Sequence, residues 1–198
     1  MSQDDVAALI LAAGESSRMG QDKALLDYRG KTFLAAIIGN LREAGVQEIA
    51  VVLGHHAELI QATVNLNGVR VVLNPNYRQG QTSSLQAGLA AWSAAGPRAI
   101  LLCLVDHPAV SPNVIGAILG RYRQFPVPVI VPAFRGLRGH PVLIGRELFA
   151  ELIALPAEAG ANTVVRKYQS ATQMVEVEDD TILIDIDDPV AYSKLTEG

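Results

Sequence analysis

The chain has a single cysteine, Cys103, and one thiol excludes an internal disulfide framework. That usage suits a reducing compartment, so the expected location is the cytoplasm. Aromatic residues are 5% of the 198 residues, and no basic run interleaves with them. With a net charge of −4, this argues against a nucleic-acid partner. No apolar run is long enough to span a membrane. The amino-terminal MSQDDVAAL is acidic and lacks the basic start of a secretory signal. Charged residues are sparse at 18% against 49% hydrophobic, a globular rather than a disordered balance. The length favours one domain, 1–198, with enough chain to bury most of its apolar surface. There is no internal repeat and no low-complexity linker.

What is present is an alternation of strand-like and helix-like stretches. VAALILA (6–12) is a short continuous apolar run, as a strand buried on both faces would be. TFLAAIIGNLREAG places Phe33, Leu34, Ile37, Ile38 and Leu41 on one helical face, and Gly45 is a C-terminal stop. EIAVVLG, RVVLN, RAILLCLVD and VPVIVPA read as further strands. AELIQATV, TSSLQAGLAAWSAAG (ending at Gly96) and SPNVIGAILGRYRQF read as helices, the last opened by a Ser-Pro cap. The pattern implies an α/β fold: an open, mostly parallel sheet with helices on both faces. Ligands in such sheets bind beyond the carboxyl ends of the strands, so residues that follow strands carry the chemistry.

Four such groups stand out. LAAGESSRMGQDK follows the first strand. Gly14 can take a positive φ and permits close backbone approach, while Arg18 and Lys23 suit phosphate oxygens. The spacing is neither a Walker loop nor G-x-G-x-x-G. NPNYRQGQTSSL follows the third strand, with Gly80 in a tight turn and Ser83 and Ser84 at a helix start. Asp106 ends the apolar LLCLVD, where an isolated carboxylate is costly unless paired or ligated. In ILIDIDDPVAY, Asp185 and Asp187 share one face if the segment is a strand, and such a pair repels unless a cation sits near. Asp188 is placed to cap the last helix ahead of Pro189. His55 and His56 are expected not to face each other and to be structural or peripheral.

LAAGESSRMGQDK closely resembles the signature of nucleotidyltransferases that modify the molybdenum cofactor, roughly L-A-A/G-G-x-S-x-R-M-G-x-x-K. The resemblance extends from Leu9 to Tyr192 and implies a Rossmann-like three-layer α/β/α fold of the nucleotide-diphosphosugar-transferase type. It implies that Gly14, Arg18 and Lys23 hold a triphosphate, and that Gly80 and Ser84 line the base and ribose site. Asp106, in VDHP where the family resembles G-D-x-P, would ligate Mg²⁺, completed by Asp187 or Asp185, with Asp187 slightly favoured on the family pattern. His107 stands where cytidylyl-transferring members often carry Met. GHPVL implies an acceptor-side role for Gly139 and His140. Leu11, Ala12 and Ala13 match the L-A-A-G of cytidylyl-transferring members, and the Ala13 methyl is expected to narrow the pocket toward the smaller pyrimidine of CTP. The implied acceptor is a molybdopterin-like phosphate, and a molybdenum hydroxylase or its maturation factor is the implied partner. A guanylyl- or sugar-phosphate-transferring relative, or a non-catalytic nucleotide-binding accessory protein, are the alternatives.

Overall fold

A computed structural model describes residues 5–92 and 96–196. The chain runs β1 (Val6–Ala12), β2 (Asp27–Tyr28), β3 (Lys31–Thr32), α1 (Phe33–Glu43), β4 (Ile49–Leu53), α2 (Ala57–Thr63) and β5 (Val69–Leu73). It continues with α3 (Gln81–Ala90), β6 (Ala99–Leu104), α4 (Pro112–Gln124), β7 (Val129–Phe134), β8 (Leu137–Arg138) and β9 (Val142–Gly145). The last elements are α5 (Phe149–Ile153), α6 (Asn162–Lys167), β10 (Thr172–Glu176) and α7 (Pro189–Thr196).

The main sheet has the order β10-β7-β9-β6-β1-β4-β5, with β8 paired to β7. β1 is parallel to both β4 and β6, β5 to β4, and β10 to β7. β9 inserts antiparallel between β6 and β7, so the sheet is mostly parallel. All seven residues of β1 are buried, which is what a central strand covered on both faces requires. Its side chains alternate between two cores. Ala8, Ile10 and Ala12 pack with Leu34 and Leu41 of α1, Ile60 of α2 and Ile118 of α4. Leu9 and Leu11 pack with Leu85 and Leu89 of α3, Leu152 of α5 and Val164 of α6. The fold is therefore the expected Rossmann-like three-layer α/β/α. No helix among the described residues is long and apolar enough to cross a membrane.

The helix ends follow the sequence signals. Thr32 Oγ1 accepts from the Ala35 amide to cap α1, and Gly45 beyond its end takes φ +87°. Ser111 Oγ accepts from Val114 N ahead of Pro112, and Asp188 Oδ1 accepts from Ala191 N ahead of α7. Other features differ. α3 stops at Ala90, and residues 93–95 of the longer expected helix lie outside the described residues, as does the 1–4 portion of the acidic start. β10 adds an edge strand with only mixed periodicity. ILIDIDD is not a strand: a 3₁₀ turn at Asp180–Leu183 leads into extended chain off the sheet. Its backbone bonds to loops instead, Ile182 O accepting from His140 N and Ile186 N donating to Asp106 O. The alternation is real, because Ile182 and Ile186 are fully buried while Asp185 is exposed, but it belongs to a strap.

α3 lies close against β1 because Gly88 has no side chain. A Cβ there would come within 2.5 Å of Leu9 Cδ1 and 3.0 Å of Val52 Cγ2. Gly88→Ala is expected to cost about 1–3 kcal/mol through overpacking, read as a lower urea midpoint at unchanged slope.

Candidate active site

Strands β1 and β6 lie side by side and end at the same edge of the sheet. A cleft of about 310 Å³ opens there. Leu11, Ala12, Ala13 and Gly14 line it, as do Arg18, Lys23, Gly80, Ser84, Asp106 and Asp187. The site is thus assembled from four segments that are remote in the chain.

The first loop is shaped by residues other than the expected one. Gly14 does not take the left-handed conformation; Ser16 (φ +51°) and Gly20 (φ +71°) do. A Cβ on Gly14 would meet no protein atom within 4 Å, so what its lack of side chain leaves open is the cleft itself. Met19 is buried with Leu26, Phe33 and Ile186 in a small third core that anchors the loop. Ser16 Oγ accepts from Lys23 N at 3.1 Å, opening a short 3₁₀ turn, Lys23–Leu25. The second loop is organised by Asn74, which is buried. Its Nδ2 donates to Ser83 Oγ (2.9 Å) and Ser84 Oγ (3.1 Å), and its Oδ1 accepts from Asn76 N. Gly80 takes φ +98°, which delivers the start of α3 to the cleft. Tyr77 also lines the cleft and lies against Gly54, where a Cβ would sit 2.6 Å from Tyr77 Cβ. Asn74 and Tyr77 were not expected as site residues; both lie in the quoted NPNY, where a turn was the plain reading.

The charged groups form a chain. Lys23, only 9% exposed, places Nζ 2.6 Å from Asp187 Oδ1 and 3.2 Å from Asp106 Oδ2. Arg18 Nη2 lies 2.8 Å from Asp187 Oδ2. The Lys23 hydrogen bond is the main cause holding the Asp187 carboxyl below its ordinary value. Asp185 lies elsewhere: one of its oxygens clusters with Asp106 and His107, with donor atoms within 4.8 Å of one another. Burial first, then the charges of Asp106 and Asp187, raises its pKa. The late pair therefore does not act as two carboxylates on one strand face. Ile186 N bonds to Asp106 O, and the acids on either side of Ile186 meet different partners.

Gly139 and His140 are not among the residues lining the cleft. A Cβ on Gly139 would collide with Ile182 O, so this glycine lets the strap approach the hairpin. His140 packs on His107, ring centroids 5.0 Å apart, around a cavity of about 20 Å³. Burial is the main cause lowering both imidazole pKa values, His140's to about 4. The expectation that His55 and His56 do not face each other is overturned, since their ring centroids are 3.7 Å apart, while neither lines the cleft. His56 takes φ +47°, and this left-handed turn brings consecutive side chains together. His56 Nδ1 then lies 2.9 Å from Asp22 Oδ2.

A glycine-serine loop with two cations, facing carboxylates at the end of a parallel strand, suits a nucleotide's phosphates. The family model described as "MobA-like NTP transferase domain" matches residues 8–173. The chain belongs to this family. Among relatives of this MobA-like domain, the nicotine blue oxidoreductase of Paenarthrobacter nicotinovorans is 32% identical over 191 residues, 92% of each chain. The molybdenum cofactor cytidylyltransferase of Escherichia coli is 28% identical over 93% of this chain and 92% of its own. Rv0371c of Mycobacterium tuberculosis has the same fold at a TM-score of 0.87, 28% identical with both chains fully covered. Its manganese complex aligns at a TM-score of 0.80, 27% identical over 98% and 99% of the chains.

The neutral buried His140 makes folding pH-dependent. Its folded pKa of about 4 lies below the ordinary 6.5, so the unfolded chain binds the extra proton. Stability is full above 6.5 and falls as pH drops from 6.5 toward 4. The Asp187 contribution is present above 3.8 and lost only below it. His140→Gln is expected to fall less steeply than the parent between pH 6.5 and 4 in chemical denaturation.

Proposed function

We propose that this MobA-like NTP transferase moves CMP from CTP to a molybdopterin-like phosphate and releases pyrophosphate. The observation that carries the reading is the meeting of Arg18, Lys23, Asp106 and Asp187 in one cleft with the Leu11–Gly14 wall. An acceptor phosphate oxygen forms the new bond to the α-phosphorus. The bond from that phosphorus to the α–β bridging oxygen breaks, and the electron pair leaves with pyrophosphate. The nucleophile is already an anion, so the protein's work is positioning and charge neutralisation rather than strong base catalysis.

Arg18 and Lys23 exchange Asp187 for phosphate oxygens and neutralise the charge that grows on the leaving group. Gly80 and Ser84 border the part of the cleft assigned to base and ribose, and the buried Ala13 methyl narrows it toward cytosine. The acidic set fits a divalent cation: Asp106 Oδ1 is buried without a hydrogen-bond partner, and Asp185 is crowded by like charges. Asp106 with Asp187 or Asp185 would hold a divalent ion, Mg²⁺ on the family resemblance, which supplies Lewis-acid stabilisation of the phosphate charge when bound. The manganese complex of Rv0371c supports a divalent ion in this fold. Gly139 and His140 support the acceptor side indirectly, by setting the strap and His107. A molybdenum hydroxylase or its maturation factor is the partner that would take the product.

The Paenarthrobacter relative, named for an oxidoreduction, favours a second reading in which the same cleft serves redox chemistry. The paired cations and facing carboxylates favour transfer, since they match a phosphate chain. The test is pyrophosphate release with each NTP and a molybdopterin acceptor. Release dependent on CTP is expected. Release with GTP instead overturns the base assignment, and release with none overturns transfer in favour of redox or accessory roles. Asp106→Asn is expected to keep the fold by circular dichroism and lose roughly 10²–10³-fold in turnover. Ala13→Gly is expected to raise use of GTP relative to CTP.

A further inference from the structure

Asp106 presents its two oxygens to two different surroundings. Oδ2 faces the Lys23 ammonium at 3.2 Å, within the group that also ties Asp187 and Arg18. Oδ1 is buried and has no hydrogen-bond partner. His107 Nε2 lies 3.8 Å from Oδ1, and Asp106, His107 and Asp185 each offer a donor atom, these within 4.8 Å of one another. The His107 side chain is 8% exposed, and its Nδ1 is likewise buried without a partner. At 3.8 Å the His107–Asp106 approach is too long for a hydrogen bond, so neither group satisfies the other.

A desolvated carboxylate oxygen without a partner, with an imidazole and a second carboxylate close by, is a cost that a bound cation would relieve. An ion about 2.1 Å from each donor sets neighbouring ligands about 3 Å apart and opposite ones about 4 Å, so binding would draw these groups, now 3.8 Å apart at His107 Nε2 and Asp106 Oδ1, closer together. A purely oxygen-lined site would suit Mg²⁺, whereas an imidazole nitrogen favours Mn²⁺, Co²⁺ or Zn²⁺.

From this geometry we infer that Asp106 is a bridging carboxylate with the Lys23 ammonium on one oxygen and a borderline transition-metal ion on the other, held by His107 Nε2 and Asp185. Asp187 is then the anchor of Lys23 and Arg18, not a ligand of that ion. His107 is the residue that sets metal choice. The inference rests on the reading of the cleft as metal-dependent, but its test needs no nucleotide and no turnover.

The probe is Mn²⁺ alone, added to the full chain and followed by paramagnetic resonance, with Mg²⁺ as competitor. The expected result is one bound Mn²⁺ carrying ¹⁴N coupling, with Mg²⁺ displacing it poorly. His107→Leu should abolish the ¹⁴N coupling and cost at least the roughly ten- to a hundredfold in Mn²⁺ affinity that loss of a mere supporting partner costs. Asp185→Asn, at an exposed position that tolerates change, should also weaken Mn²⁺, and Asp187→Asn should leave the ¹⁴N coupling in place. Mn²⁺ bound without ¹⁴N coupling in the parent protein overturns the proposal, and so does no binding at all. Loss of Mn²⁺ in Asp187→Asn with retention in Asp185→Asn overturns it too. Pyrophosphate release on the same samples reports separately on transfer: ¹⁴N-coupled Mn²⁺ without turnover upholds the metal site and rejects the reaction.

Discussion

The site depends on the Lys23 ammonium held between two carboxylates. Asp106 is 83 residues from Lys23 in the chain and Asp187 is 164. A lysine that is 9% exposed is tolerable only with opposite charge against it, and two carboxylates this close are tolerable only with a cation between them. Each group thus relieves the cost of the others. The tie also joins three segments with no shared secondary structure: the first loop, the end of β6 and the strap before α7. Where these meet, Met19, Leu26, Phe33 and Ile186 form a small core of their own, edged by Tyr192, whose hydroxyl donates to Asp27 O.

The sheet supplies the frame for that tie. The chain builds outward from β1 to β4 and β5, then crosses to β6 on the other side of β1. The loops leaving β1 and β6 therefore diverge, and the crevice between them is open at their carboxyl ends. The antiparallel β9, inserted between β6 and β7, leads from the hairpin that carries Gly139 and His140. That hairpin accepts the strap through the contact of Gly139 with Ile182, and the strap in turn positions Asp185 and Asp187 around Asp106. Gly139 and His140 thus act on the site from behind it.

Family membership and geometry support each other at different levels. The MobA-like match covers residues 8–173, and therefore stops before the strap. The strap's acids enter the argument through their distances to Lys23, Asp106 and His107. The same geometry sets one Asp106 oxygen against the Lys23 ammonium and leaves the other buried without a hydrogen-bond partner.

Much of this architecture was legible in the residues themselves. β1, α1, β4 and α4 carry continuous or 3.6-period apolar patterns and explicit caps, which are local physics and need no partner to be read. So too was the placement of Gly14, Arg18 and Lys23 at the cleft, because ligand clefts in such sheets open beyond the carboxyl ends of the strands. β10 and α6 were not legible, since their half-exposed residues gain order only where β10 pairs with β7 and Val164 of α6 enters the second core. The left-handed turn at His56, which stacks it on His55, has no signal in the dipeptide. Alternation in ILIDIDD determined which residues are buried, but not that they form a strap. The sequence by itself determined which groups carry charge and which strands are buried. Only the tertiary structure decided which acid faces Lys23 and which faces His107, because neighbours so far apart in the chain are chosen by packing across the sheet edge.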